Sequence, residues 1–254
     1  MDTKGTGDHG GKVYYHYTSL DALVNIIQSG QIWMTDCRYS NDRHELVKVA
    51  QQVVEALRKK SDQKKTSLRQ KVCKNIAALV ESEQEQRLFC VFCMSKRPHI
   101  LSQWRAYADD GKGVCIGFEI PSTCPSEYYI GECWYTRVED LTQAKLPTPG
   151  LEPLIQQWKQ RDNITEWKDD YDKLDADMGL LLTKYDILFD IFNRAMLRKN
   201  KHFKEEDEVR LIRMPHVELK SDTNEEVDYR TNEKGIIPYI RSNVFREQET
   251  KRED

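Results

Sequence analysis

Leu20, Leu23, Ile26 and Ile27 recur at helical spacing directly behind Thr18 and Ser19, two residue types that cap helix N-termini. Gly30 follows the last apolar position, where a left-handed helix stop belongs. The pattern predicts a short helix. Before it, "VYYHYT" reads as a strand; after it, "QIWMT" has the β-branched and aromatic character of a second one. The strand–helix–strand unit places His16, Thr18, Trp33 and Thr35 near strand ends, where two strands joined by a helix make a crevice wall.

Further along, Leu46, Val49, Ala50, Val53, Val54 and Leu57 form one apolar helical face, with Asp42 and Glu45 at capping-box spacing and Ser40 or Asn41 as alternative caps. "RKKSDQKKTSLRQK" is a solvated basic stretch leading into another helix through Ala77–Val80, and "RLFCVFCMS" is a buried-strand candidate. "ILSQWRAYADDGKGVCIGFEI" predicts a short helix, a turn at "DDGKG" and a strand from Val114 to Ile120; "EYYIGECWYT" predicts the next strand. The prolines of "KLPTPGLEP" interrupt regular structure. From there to Lys201 the chain reads as helical, with Leu181, Tyr185, Leu188, Phe192 and Ala195 on one face and Phe189, Ile191 and Met196 widening it. "KHFKEEDEVRLIRM" switches to a strand and "EKGIIPYI" supplies one more. The expected organisation is one α+β domain over residues 13–245 with a helical insertion at about 150–200, between polar tails at 1–12 and 246–254.

Composition narrows the class. The chain is 39% hydrophobic and 32% charged, globular but polar, and a net charge of −3 gives no overall nucleic-acid signature. No apolar run reaches the roughly 20 residues of a membrane span; the best, "MGLLLTKYDILFDIF", is broken by Lys184 and Asp186. Seven cysteines without regular spacing point to reduced thiols and a cytoplasmic setting. "CVFC" has CxxC spacing, but on a strand Cys90 and Cys93 face opposite ways, which argues against a metal or redox site.

"EEDEVRLI" is the second informative stretch. On a strand starting near Asp207, Glu206, Glu208 and Arg210 share one face and Val209 and Leu211 the other. Two carboxylates beside an arginine can stabilise a developing cation or hold a sugar hydroxyl; a solvated strand edge with an ion pair is the plainer account. His16 likewise suits either a satisfied core histidine or a catalytic one. Trp104 and Tyr107 serve as core anchors or face a substrate. The basic run of Arg194, Arg198, Lys199, Lys201, His202 and Lys204 either complements a helix C-terminus or holds nucleic-acid phosphates. No GxGxxG follows a strand, and "DDGKG" lacks the spacing and the hydroxyl residue of a P-loop.

Together, "HYTS…IWMTD…YSNDRHE", "ILSQWRAYADDGKGVCIGF" and "EEDEVRLI…GIIPYI" resemble a widespread bacterial domain-of-unknown-function family, over all the chain but the tail and the helical insertion. That family in turn resembles distant members of the ADP-ribosyltransferase superfamily. There a first strand carries His or Arg, a second carries Ser or Thr with aromatics, and a late strand carries the catalytic Glu. His16, then Thr35 and Tyr39, then Glu208 follow that order. The spacing of Glu206 and Glu208 is similar to that of arginine-modifying members, whereas a first-motif His is more like the diphtheria-toxin-like and poly-ADP-ribose branch.

The resemblance implies a split β-sandwich with flanking helices, NAD as substrate, and transfer of ADP-ribose to a protein or nucleic-acid acceptor, as a toxin or anti-phage defence effector. It implies Glu208 beside the nicotinamide ribose, Glu206 at the acceptor, and His16 on a ribose hydroxyl of the adenosine half. Tyr17, Thr18 and Thr35 then belong to the NAD site, with Tyr39, Trp33 or Tyr107 on the nicotinamide ring and Arg105 or Lys112 at the pyrophosphate. Two rival expectations use the same residues: an NAD glycohydrolase with water as acceptor, and an inactive module that binds a nucleotide or a protein.

Overall fold

The computed structural model describes residues 12–39, 68–120, 124–136, 191–215, 227–232 and 235–243, with scattered helical positions at 51–58 and 188–189. The two tails, the Asp42–Glu45 cap and most of the expected 150–200 insertion, including Leu181 and Tyr185, lie outside them.

The opening unit forms as its sequence predicts. Strand β1, Val13–Thr18, leads into helix α1, Leu20–Ser29, whose Ser19 cap accepts a hydrogen bond from the Ala22 amide at 3.2 Å. Gly30 ends the helix at φ 64°, its amide donating to the Ile26 carbonyl at 2.8 Å. Strand β2 follows at Ile32–Asp36. The helix is less embedded than its spacing suggests: none of its residues is fully buried, and Leu20, Val24 and Ile27 are exposed.

Helix α2, Leu68–Gln86, precedes strand β3, Cys90–Ser95, the buried apolar run that becomes the centre of the sheet. Next come helix α3, Leu101–Tyr107, and strands β4, Val114–Glu119, β5, Tyr128–Glu132, and β6, Trp134–Thr136. "EYYIGECWYT" is thus two strands with Cys133 between them. The Cys133 amide donates to the Glu208 carbonyl, and the Trp134 amide then turns to the Leu197 carbonyl. Helix α4 covers 191–196. The expected helix does not continue to Lys201: Arg198–Asn200 form strand β7, paired in parallel with β6. A 3₁₀ turn, Lys201–Glu206, ends at Asp207 with φ 48°, so strand β8 starts at Glu208 and runs to Arg213. "EKGIIPYI" belongs to a hairpin of β9, Val227–Asn232, and β10, Gly235–Ser242.

The main sheet has eight strands in the order β4-β1-β3-β2-β10-β9, with β8 on the other edge of β3 and β5 beyond it. β8 pairs with β3 along its whole length, from Cys90↔Arg213 to Ser95↔Glu208. The opposite edge of β3 is shared. β1 meets it at Ser95, β2 meets it at Val91 and Cys90, and the sheet forks between them.

Each sheet face has its own core. On one, Ile76, Ala77 and Val80 of α2 and Ile191, Phe192 and Met196 of α4 pack against Phe89, Val91 and Ile212. Val54 from the 51–58 stretch joins them, whereas Phe189 stays exposed. The other core is built from the strands and their flanking residues: Tyr14, Met34, Phe92, Val209, Leu211 and Ile240, with Phe118, Tyr128 and Ile130 against them. The sheet curls over itself there. Tyr128 of β5 and Ser242 of β10, far apart in strand order, share a 2.7 Å hydrogen bond. Asp36, fully buried, holds the Arg38 guanidinium, which also donates to the Gln84 and Arg87 carbonyls and fixes the end of α2. Among the described residues, no helix is long and apolar enough to cross a membrane.

The "DDGKG" turn is left-handed at Asp109, Asp110 and Gly111 and sits against the end of β1. A Cβ at Gly113 would lie 2.2 Å from the Thr18 carbonyl oxygen and 2.9 Å from backbone atoms of Ala108, with no flexible side chain to give way. Gly113→Ala is therefore expected to cost on the order of 2 kcal/mol, as overpacking does. A thermal melt tests it; an unchanged midpoint would mean the turn moves off β1 freely.

Candidate functional site

Where the sheet forks, the middle of β3 lacks a strand neighbour on the edge that β1 and β2 share, and His16 fills the gap. Its Nδ1 lies 2.7 Å from the Cys93 carbonyl oxygen. A carbonyl only accepts, so Nδ1 carries the proton and Nε2 keeps a lone pair. The imidazole stacks on Phe92 with centroids 4.3 Å apart and meets Phe118 edge-on at 6.5 Å. Burial pushes its pKa down to about 4, against a smaller raising effect of the Cys93 carbonyl, so His16 is neutral at pH 7. A histidine between aromatics thus replaces a missing rung of the ladder.

The fork opens into a cleft of about 650 Å³, a size suited to a small-molecule ligand. Its walls are β1 and the inner side of α1 on one flank, β2 with Arg230 and Ile237 on the other, and Cys93, Glu208 and Arg210 at the centre. His16 and Glu208 face this one cleft.

Glu206 reaches it from the 3₁₀ turn rather than from the strand, and its backbone carbonyl accepts from the Ser95 hydroxyl at 2.8 Å. Glu206 and Glu208 are both buried, and Lys199 of β7 bonds to each. Arg210 completes the group, its Nε 2.7 Å from Glu208 Oε1 and its Nη1 2.5 Å from the Met196 carbonyl. Burial opposes ionisation of Glu208, but the Arg210 and Lys199 charges outweigh it and hold the carboxyl down at about 2. The Glu208 amide donates to the Tyr135 hydroxyl at 2.7 Å, tying β6 to the start of β8. The solvated strand edge is therefore not what forms: this is a buried, charge-balanced cluster.

Of the other residues singled out in the sequence, Tyr17, Thr18, Trp33, Thr35, Tyr39 and Tyr107 line the cleft. The Tyr17 hydroxyl is engaged in the scaffold, donating to the Arg97 carbonyl at 2.6 Å and accepting from the Ile100 amide at 3.0 Å. Trp33 lines the cleft and stacks on Tyr239 at 4.5 Å. Trp104 is the core anchor of its pair, edge-on to Tyr17 at 5.6 Å. Arg105 and Lys112 are exposed and not among the lining residues; α3 turns Gln103 and Tyr107, not Arg105, to the cleft, and Lys112 sits on the turn beyond it. Cys90 is buried in the strand core while Cys93 opens on the cleft, as strand alternation requires.

The basic run divides. Lys199 turns inward to the carboxylates and is not available to a phosphate, Arg194 lies over the Trp134 ring, and Lys201, His202 and Lys204 are exposed. Two cations of the site were not singled out for it in the sequence: Lys199, hidden among other cations, and Arg230, in a stretch without any motif.

Fold and site define a mixed helix-and-sheet protein with a ligand-sized cleft at the fork of its sheet. Residues 103–211 match the model of a family described as "Protein of unknown function (DUF2971)". The matched stretch runs from α3 to β8 and includes Lys199, Glu206, Glu208 and Arg210, which supports the expected uncharacterised domain family. Neither a curated protein nor a solved structure matches the chain.

Proposed function

We propose that the cleft binds NAD and that the protein transfers ADP-ribose from it to a macromolecular acceptor, in the manner of an ADP-ribosyltransferase. The observation that carries this reading is the meeting of His16 from β1, Trp33 and Thr35 from β2, and Glu208 from β8 at one fork. Residues far apart in the chain, in the order expected from the resemblance, share one cleft.

The chemistry follows from the side chains. Cleavage of the nicotinamide–ribose bond passes through an oxocarbenium-like state, which a nearby ionised carboxylate stabilises. Glu208 is ionised over the whole physiological range. A carboxylate has about four acceptor positions. Lys199 and Arg210 occupy three of those on Glu208, and the Cys93 thiol, a weak donor, interacts with the same carboxylate. A ribose hydroxyl displaces a thiol there at little cost. His16 Nε2, an acceptor at neutral pH, takes a second ribose hydroxyl, and Trp33 is an aromatic in the lining against which a ring can pack. Glu206, held beside Glu208 by Lys199, then faces the acceptor.

One observation favours the binding-only alternative: both carboxylates are already neutralised by Lys199 and Arg210. NAD labelled on its adenylate phosphate separates the readings, incubated with protein and lysate beside Glu208→Gln. Transfer gives bound label and free nicotinamide, both falling about 10²–10³-fold in the variant, the usual size of a lost electrostatic stabiliser. Free ADP-ribose without bound label identifies a glycohydrolase. NAD left intact by the wild type, though bound, leaves the binding module.

A further inference from the structure

The cations of the cleft are not equivalent. Lys199 is committed to Glu206 and Glu208, and Arg210 to Glu208 and the Met196 carbonyl. Arg230 of β9 differs. Its Nη2 donates to the Thr35 hydroxyl at 2.8 Å, and no carboxylate among the described residues forms an ion pair with it; its neighbour Asp228 pairs with Arg241. The guanidinium is reachable from solvent, yet the surrounding wall removes enough water to pull its pKa down. A cation that is partly desolvated and lacks a countercharge is a receptor for an anion, and the flat guanidinium suits two phosphate oxygens.

We propose that Arg230, positioned by Thr35, is the anion anchor of the cleft and takes a phosphate group of a nucleotide ligand. This rests on the reading of the cleft as a nucleotide site and moves the phosphate contact from Arg105 and Lys112 to the β2–β10–β9 flank. The register also sets the ligand's reach. Thr35 pairs with Val91 and Glu208 with Ser95, so the two lie two strands across and four residues along from each other. At ordinary strand spacings this is on the order of 15 Å between backbones. A ligand touching both ends is extended, with its phosphate away from the carboxylate pair.

Calorimetric titration of the full chain with ADP, NAD, inorganic pyrophosphate and adenosine tests the proposal, in wild type, Arg230→Met and Thr35→Val. Loss of a charged hydrogen bond predicts about ten- to hundredfold weaker ADP and NAD binding in Arg230→Met. Thr35→Val, which removes only the positioning contact, weakens them less, and adenosine binds the wild type and both variants alike or none of them. Equal weakening of adenosine, unchanged ADP affinity, or no binding of any phosphate-bearing probe by the wild type overturns it. The two proposals fail separately. Arg230-dependent ADP binding without NAD turnover keeps the anchor and removes the enzyme, and NAD turnover with unchanged binding in Arg230→Met does the reverse. Pyrophosphate binding as tightly as ADP, with the same dependence on Arg230, keeps the anchor and overturns the nucleotide as its source.

Discussion

Lys199→Met is expected to lower the unfolding free energy by about 3–5 kcal/mol, the range for breaking a buried ion pair from one side. Lys199 is 3% exposed and sits between Glu206 and Glu208, themselves 8% and 5% exposed. Methionine fills the space of the aliphatic stem but removes the cation that the two buried carboxylates share. Urea titration at pH 7 measures the effect as a lower midpoint at constant slope. Adding Glu206→Gln removes one of the opposed charges and should recover a large part of the loss, an interaction that only contacting residues show. A loss below about 1 kcal/mol, the level of solvated surface pairs, would mean that water reaches the cluster and that its charges are screened.

Acid is expected to unfold the protein in two stages, each with a named group. His16 has a folded pKa near 4 against an ordinary value of 6.5, so the fold holds it neutral. Its contribution is complete above pH 6.5 and is lost as pH falls from there towards 4, because the unfolded chain takes up the proton first. Glu208 has a folded pKa near 2 against 4.5, so its contribution is present above pH 4.5 and is lost between there and 2. For this buried carboxylate the full contribution is on the order of 3 kcal/mol. Urea midpoints from pH 8 to pH 3 should therefore fall below 6.5 and fall further below 4.5. In His16→Asn the upper stage should flatten and the lower one remain. An NMR titration of His16 provides the independent check: an imidazolium already formed at pH 6 would contradict a half-buried neutral ring and its tie to Cys93.

The sequence was most legible where the signal is local. Ser19 and Gly30 bracket α1 because capping depends on the residue itself and on amides three or four positions away. Cys90–Ser95 reads as a buried strand because it is apolar throughout, and the parity of Glu208, Val209, Arg210 and Leu211 follows from alternation alone. The departures are equally local in cause. The left-handed Asp207 delays β8 by a residue, and the Arg198–Asn200 strand interrupts what charge and periodicity made a helix end. Arg105 and Lys112 were reasonable anion contacts by charge, but only packing tells which side of α3, and of the turn after it, faces the cleft.

Local sequence was enough for the individual parts: the capped helix, the buried strand, the turn at "DDGKG", and the shared face of Glu208 and Arg210. Tertiary structure alone decided that β1 and β2 share one edge of β3, which makes the fork, gives His16 its carbonyl partner and opens the cleft. It alone took Lys199 from a surface-like basic run into the carboxylates and brought Arg230 to Thr35, 195 positions away in the chain. The physical reason is range. Periodicity and capping are set within a few residues, whereas strand partners and buried charge pairs are chosen among groups the whole fold brings together.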